Sequence, residues 1–229
     1  MSINLNILLI STYEMGRQPF GVASPAAWLQ NEGASVRCLD LSIEPLNHRH
    51  VMSSKLIAFY VPMHMATRMA IPVLETVRRL NPEAHICFYG LYAVENERYL
   101  RSLGVNTILG GEFESGLLRL AERLSASSEG FADGQIQIEP VILLDRQDFL
   151  VPVRSDLPDL SKYARLMMPD GKKRLAGYVE ASRGCKHLCR HCPIVPVYNG
   201  RFRIVQKEIV MEDIRRQVAA YHVWGPRFL

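Results

Sequence analysis

Asn6-Ile-Leu-Leu-Ile-Ser-Thr12 is a short unbroken apolar run, the pattern of a strand covered on both faces. The residues after it decide the fold. The segment from Tyr13 to Ala23 carries Gly16 and Gly21 and reads as a loop. Ser24-Pro25 then offers an N-cap residue with proline at the first helical position, which predicts a helix to about Asn31. Gly33 stops that helix and Ser35-Val-Arg-Cys-Leu-Asp-Leu41 begins a second strand. Strand, crossover helix and strand make a βαβ unit, which favours a parallel sheet.

The pattern repeats further along the chain. Leu56 to Val61 is a third buried strand, and Arg68 to Leu80 a helix with Met69, Val73, Val77 and Leu80 at apolar positions, stopped by Asn81-Pro82. His85 to Tyr89 is a fourth strand ending at Gly90. Glu95 to Leu103 reads as a helix closed by Gly104, and Val105 to Leu109 as a fifth strand before Gly110-Gly111-Glu112, with a last helix to about Leu124. This alternation predicts an open, doubly wound, Rossmann-like α/β domain over residues 1–125, binding ligands at the carboxyl ends of its strands. Residues 126–174 read as linker and connector: a Ser, Gly and Ala-rich stretch from Ser125 to Gly134, an added strand in Pro140 to Leu144, and a proline-marked segment from Asp156 to Tyr163.

A chain of 229 residues, 48% apolar and 22% charged, is an ordinary globular protein of one or two domains. The net charge of +4 is small, and neither Lys172-Lys173-Arg174 nor the Arg201/Arg203 pair forms a long basic face with interleaved aromatics, so nucleic acid is not an expected partner. Ile7 to Ile10 is too short for a signal core or a membrane span and has no basic region before it, so the expectation is a cytoplasmic protein with no membrane attachment. Five cysteines, three in one motif, make no disulfide framework; Cys38 and Cys87 lie in strand-like runs and read as core.

The other three define the chemistry. Gly177-Tyr-Val-Glu-Ala-Ser-Arg-Gly-Cys185-Lys-His-Leu-Cys189-Arg-His-Cys192-Pro193 reads as an extended segment running into a turn and a thiol cluster. The spacing Cys-x3-Cys-x2-Cys puts three soft ligands on one loop, one fewer than a closed tetrahedral site needs. A 4Fe-4S cluster normally takes four thiolates, so three leave one iron open to something other than protein. A zinc site stays open as the alternative, with His187 or His191 as the fourth ligand.

This stretch resembles the radical S-adenosylmethionine (radical SAM) enzymes, whose signature has this spacing after the first strand of a partial (β/α) barrel. The resemblance implies that Gly177 to Ala181 is that strand and that residues 175–229 begin the barrel. It implies that Cys185, Cys189 and Cys192 hold three irons of a 4Fe-4S cluster, and that His191 lies beside the adenine. S-adenosylmethionine on the fourth iron would be cleaved reductively to methionine and a 5'-deoxyadenosyl radical, which abstracts a hydrogen from an unidentified small-molecule or peptide substrate. The electron comes from a reducing donor. About 250 residues make a full barrel, and only residues 193–229 follow the last cysteine. The chain thus reads as the front half of such an enzyme, and the tail Tyr221 to Leu229 lacks the acidic residues expected near a second barrel strand.

A doubly wound domain ahead of the thiol loop is similar to radical SAM proteins that carry a cobalamin-binding-type domain. In that resemblance Gly110-Gly111-Glu112 stands for a Gly-Gly or Gly-Glu segment, and Ser11-Thr-Tyr13-Glu-Met-Gly16 for Asp-x-His-x-x-Gly. Ser11 replaces the Asp, Tyr13 replaces the cobalt-ligating His, and Gly16 is kept. A neutral phenol is a poor cobalt ligand, which leaves two readings: cobalamin held without a protein ligand, or a retained scaffold with no cobalamin. His64, ending the third strand, is either a ligand or a packing residue; His48 and His50 flank Arg49 in a polar loop and are expected in solvent. The reading from a different class is a non-catalytic α/β binding module with a metal-binding cysteine loop.

Overall fold

The computed structural model describes residues 3–128 and 139–221. Six parallel strands form one sheet: β1 (Asn6–Ser11), β2 (Ser35–Asp40), β3 (Leu56–Tyr60), β4 (His85–Tyr89), β5 (Thr107–Gly111) and β6 (Ile142–Leu143), in the order β2-β1-β3-β4-β5-β6. The fold is the α/β, Rossmann- or flavodoxin-like class that the strand-helix alternation predicts. Added strand β6 extends this sheet, pairing Gly110 with Ile142 and Gly111 with Leu143. The chain order reverses between β1 and β3, which is where an open sheet of this kind offers a crevice at its carboxyl edge.

Alternation along β1 shows why its apolar run is unbroken. Ile7 and Leu9 face the core beneath α1 (Phe20–Asn31) and α6 (Phe113–Ser128), whereas Leu8 and Ile10 face the core on the opposite side. That second core is covered by α2 (His48–Ser53), α3 (His64–Leu80), α4 (Leu91–Glu95) and α5 (Glu97–Ser102). Each such side chain contributes about 1.5–3 kcal/mol on full burial, so a strand with apolar residues on one face only could not hold both layers. Cys38 and Cys87 are buried core thiols. No helix among the described residues is long and apolar enough to cross a membrane.

Helix α1 corrects the sequence expectation. It begins at Phe20, so Pro25 lies inside it rather than at its first position. A proline there removes the N–H that would have bonded the carbonyl of Gly21, four residues back. The Tyr89 hydroxyl, from β4, donates to that carbonyl at 2.9 Å. Gly21 also lies so close to the Tyr60 ring that a Cβ would collide with it, and this lets the helix settle onto the sheet. We expect Tyr89→Phe to cost about 1–3 kcal/mol in chemical denaturation, as for any buried acceptor left without a donor. The loss should shrink in a Pro25→Ala background, where the helix N–H returns. An equal loss in both backgrounds would exclude this explanation.

The other boundaries move for local reasons. Helix α3 starts at His64, four residues before the expected Arg68, and the expected helix from Glu95 to Leu103 is two short helices meeting at Asn96, whose side chain donates to the Tyr92 carbonyl at 2.7 Å. Past β6 the chain runs through a single 3-10 turn (Leu160–Lys162) into the two-stranded ribbon β7 (Arg165–Met167) and β8 (Lys173–Leu175). The expected strand from Gly177 to Ala181 is not one. The strand is β9 (Ser182–Gly184), and it pairs antiparallel with β10 (Phe202–Ile204), with α7 (Ile194–Tyr198) between them and α8 (Lys207–Tyr221) after. Antiparallel pairing is the ribbon's geometry, and the described residues show no barrel. Residues 129–134 of the Ser125 to Gly134 stretch and the tail beyond Tyr221 lie outside the described residues.

Candidate functional site

Cys185, Cys189 and Cys192 are free thiols on the loop between β9 and α7. Gly184 enters it with φ +74°, and the amide of Cys192 bonds the Cys189 carbonyl at 3.3 Å, so the last two thiols share a turn. The amide of His187 lies 3.5 Å from the Cys185 sulfur. Cys189 and His191 are exposed, and Cys185 and Cys192 half-buried. Among the described residues no three His, Cys, Asp or Glu side chains already converge as a metal site. The donor chemistry nevertheless suits a group that takes three thiolates, since the loop carries three free cysteines within eight residues.

This loop stands on a buried electrostatic seat. Arg183, two residues before Cys185 and only 7% exposed, donates to both oxygens of Glu114 at 2.5 and 2.7 Å, to Glu180 at 2.7 Å and to Glu112 at 3.4 Å. Its guanidinium stacks 4.7 Å from the Phe113 ring centre and 5.0 Å from that of Phe149. Ser24 and Gln147 complete the shell of Glu114, at 2.7 and 3.0 Å. Burial alone would raise the Glu114 pKa, but the charge and hydrogen bonds of Arg183 outweigh it and hold the carboxylate below its usual range. Burial also works against the Arg183 charge, and Glu114, Glu180 and Glu112 together more than restore it. The buried cation is therefore paired chiefly with an ionised Glu114.

Glu112 behaves differently. Burial pushes its carboxyl up to about 7 against the pull of Arg183, with Glu114 adding repulsion. Between the ordinary value of 4.5 and 7 the folded chain holds this proton and the unfolded chain does not, so this group's contribution to stability falls as pH rises through that window. Glu112→Gln should remove that slope. Relative to the parent, the variant is expected to gain stability from about pH 4.5 to 7 in urea unfolding, and a pH-independent difference would place the titration elsewhere.

A second buried arginine ties the remaining segments together. Arg154 donates to both oxygens of Asp213 at 3.1 and 2.9 Å, to Gln18 at 3.1 Å and to the Tyr178 carbonyl at 2.8 Å. Gln217 accepts from the Tyr178 amide and donates to its carbonyl, pairing with that extended residue as a neighbouring strand would. Helix α8 thus docks through Asp213 and Gln217, whereas Val210, Ile214 and Val218, apolar residues at helical spacing, are only half-buried.

The sequence-derived cobalamin residues lie along the carboxyl edge of the sheet. Ser11 ends β1 fully buried, and among the described residues its hydroxyl and one Glu14 carboxylate oxygen find no hydrogen-bond partner. Burial, reinforced by Glu180 and Asp40, holds the Glu14 carboxyl well above its usual range. Tyr13 is half-buried beside the second core, and Gly16 turns with φ +74° against Ala164. Gly110 and Gly111 lie across the sheet at the end of β5. A Cβ on Gly110 would strike Val94, one on Gly111 the Leu143 carbonyl of β6, and the Gly111 carbonyl accepts from Tyr198 at 3.2 Å. Protein atoms already fill the space these glycines free, and no imidazole stands at Tyr13. This segment does not fit the open cradle that cobalamin needs. His64 is exposed at the first turn of α3, and His48 is exposed with His50 half-buried.

No protein-family model matches the chain. It is similar to a methylase. Over 211 residues it is 26% identical to the hopanoid C-3 methylase of Methylococcus capsulatus, a match covering 87% of this chain and 40% of that protein. The chain therefore spans well under half the length of this relative. Among solved structures, a flavodoxin-like domain from Synechococcus aligns with 55% of this chain and 91% of its own, at 12% identity and a TM-score of 0.33. The parallel order of the six strands, read directly from their pairing, carries the fold assignment.

The Cys-x3-Cys-x2-Cys spacing was sufficient to find the thiol loop. Its seat was missed, although Arg183, Glu112 and Glu114 all lie in stretches singled out for other reasons. The available signal was two carboxylates flanking Phe113 between a glycine pair and an apolar helix, a place where charge is buried only with a cation beside it.

Proposed function

We propose that the chain carries the cluster-binding part of a radical SAM enzyme, with Cys185, Cys189 and Cys192 as its thiolate ligands. The observation that supports this most is the loop itself: three free thiols at this spacing, entered through the left-handed Gly184 and held against the α/β domain. Bound there, a 4Fe-4S cluster with S-adenosylmethionine on its open iron supplies one-electron reductive cleavage to a carbon radical. The residues of this chain bind and orient. Cys185, Cys189 and Cys192 would hold the cluster, His191 on the same loop is exposed, and Arg183 keeps the loop against Glu114. The name of the distant relative, a methylase acting at C-3 of a hopanoid, supports methyl transfer as the reaction class. No step is assigned to cobalamin, because the Gly110-Gly111 segment does not fit it.

Reductive cleavage also needs contacts to the adenosine, the methionine carboxylate and the substrate, aligned with the cluster. A relative more than twice as long supports their lying outside these 229 residues. The expected result with the reduced, reconstituted 229-residue chain is an altered paramagnetic resonance spectrum on adding S-adenosylmethionine. Multiple-turnover release of 5'-deoxyadenosine should not exceed that of a Cys185→Ala control. An unchanged spectrum, or one altered equally by S-adenosylhomocysteine and by buffer, speaks against the reading.

A further inference from the structure

The Gly110-Gly111-Glu112 segment is contacted by the ribbon that bears the thiol loop. Three side chains from the ribbon that bears the thiol loop converge on the carboxyl ends of β5 and β6. Arg183 of β9 reaches Glu112 and Glu114, directly after β5. Tyr198 of α7 donates to the Gly111 carbonyl at 3.2 Å. Arg203 of β10 donates to the Leu144 carbonyl, directly after β6, at 2.5 Å. Arg183 and Arg203 are register partners in the ribbon. Like charges directly opposite one another destabilise a strand pair, so this pairing makes sense only with acceptors facing both. Apart from Glu180, three residues before Arg183, those acceptors lie at the carboxyl end of the α/β sheet and in the first turn of α6.

We propose that the carboxyl ends of β5 and β6 are the receptor that orients the thiol loop, and that Arg183 is its principal positioning residue. This rests on the radical SAM reading for what the loop holds, but not for how it is held. The anchors bracket the loop on both sides: Arg183 lies two residues before Cys185, and Tyr198 and Arg203 come after Cys192. A bidentate guanidinium fixes direction as well as distance, which an ammonium on a flexible stem does not. Arg183→Lys therefore keeps the charge and loses the orientation.

The test uses the full chain and three variants, Arg183→Lys, Glu114→Gln and Tyr198→Phe, the last being mild enough to preserve the fold. Hydrogen exchange is measured without iron. Amides of residues 182–204 should exchange at least about tenfold faster in Arg183→Lys and Glu114→Gln, and less so in Tyr198→Phe, with β1 and β3 unchanged. After reconstitution with iron and sulfide, the reduced Arg183→Lys protein should bind iron but give a shifted or broadened paramagnetic resonance signal, which a residue serving stability alone would not alter. Unchanged exchange in residues 182–204, or a parental signal from Arg183→Lys, overturns the proposal. If the parent takes up no iron, the cluster reading fails by itself while the exchange measurement still decides the anchoring.

Discussion

Replacing Cys185, Cys189 or Cys192 singly by Ala should abolish the broad thiolate-to-iron absorption of the reconstituted chain, each substitution as completely as the others. With three protein ligands for a cluster that ordinarily has four, there is no spare thiolate to compensate for a loss. Cys38 and Cys87 cannot substitute. Both are fully inside the core, and burial raises their thiol pKa values, Cys87 well above the usual thiol range. Cys38→Ala and Cys87→Ala should leave iron and sulfide content unchanged and cost only the stability of a small buried side chain. Stoichiometric zinc in place of iron and sulfide, retained in all three loop variants through His187 or His191, would favour the binding-module reading instead.

The second large effect is expected at Asp213. Asp213→Ala removes the carboxylate from a pair whose side chains are only 8% and 4% exposed, leaving the Arg154 cation buried with Gln18, the Tyr178 carbonyl and the Phe20 ring but no carboxylate in contact. Breaking a buried pair from one side costs about 3–5 kcal/mol, because the survivor keeps its desolvation penalty. Asp213→Asn keeps an acceptor oxygen and should lie between the parent and Asp213→Ala. Unfolding midpoints in urea measure both. A loss of less than about 1 kcal/mol in Asp213→Ala would mean that water reaches Arg154 and that α8 is not held by this pair.

The α/β domain was largely legible in the sequence because its signals are local. Unbroken apolar runs such as Leu56 to Val61 have the length and β-branched, aromatic content of strands covered on both sides, and the glycines and prolines between them mark chain reversals. Pro25 misled for a physical reason. Proline is excluded from helix interiors by its missing donor, and the hydroxyl that replaces that donor comes from Tyr89, far away in sequence. The second half was less legible. Its strands are three residues long, too short for periodicity, and its packing depends on Arg154 and Arg183, whose partners lie 59 and 69 residues away. Polar docking also hides α8 from a pattern-based reading. The apolar stripe Val210, Ile214 and Val218 suggests one buried face, while the residues that are actually enclosed are Asp213 and Gln217.

The pairing of Phe202 with Gly184 closes residues 185–201 into a ring by backbone hydrogen bonds. A linear peptide with three thiols must meet the loop-closure entropy when it chelates, a cost that grows roughly as (3/2)RT ln n with the length enclosed. Here the strand pairing fixes both ends of the segment that carries the thiols, which lowers part of that cost by restricting the unliganded loop. Loading then amounts to ordering the interior of a closed ring. If the loop takes up a metal group as proposed, the rate of uptake should respond to changes in β9 or β10 far more than to equally large changes in surface loops elsewhere.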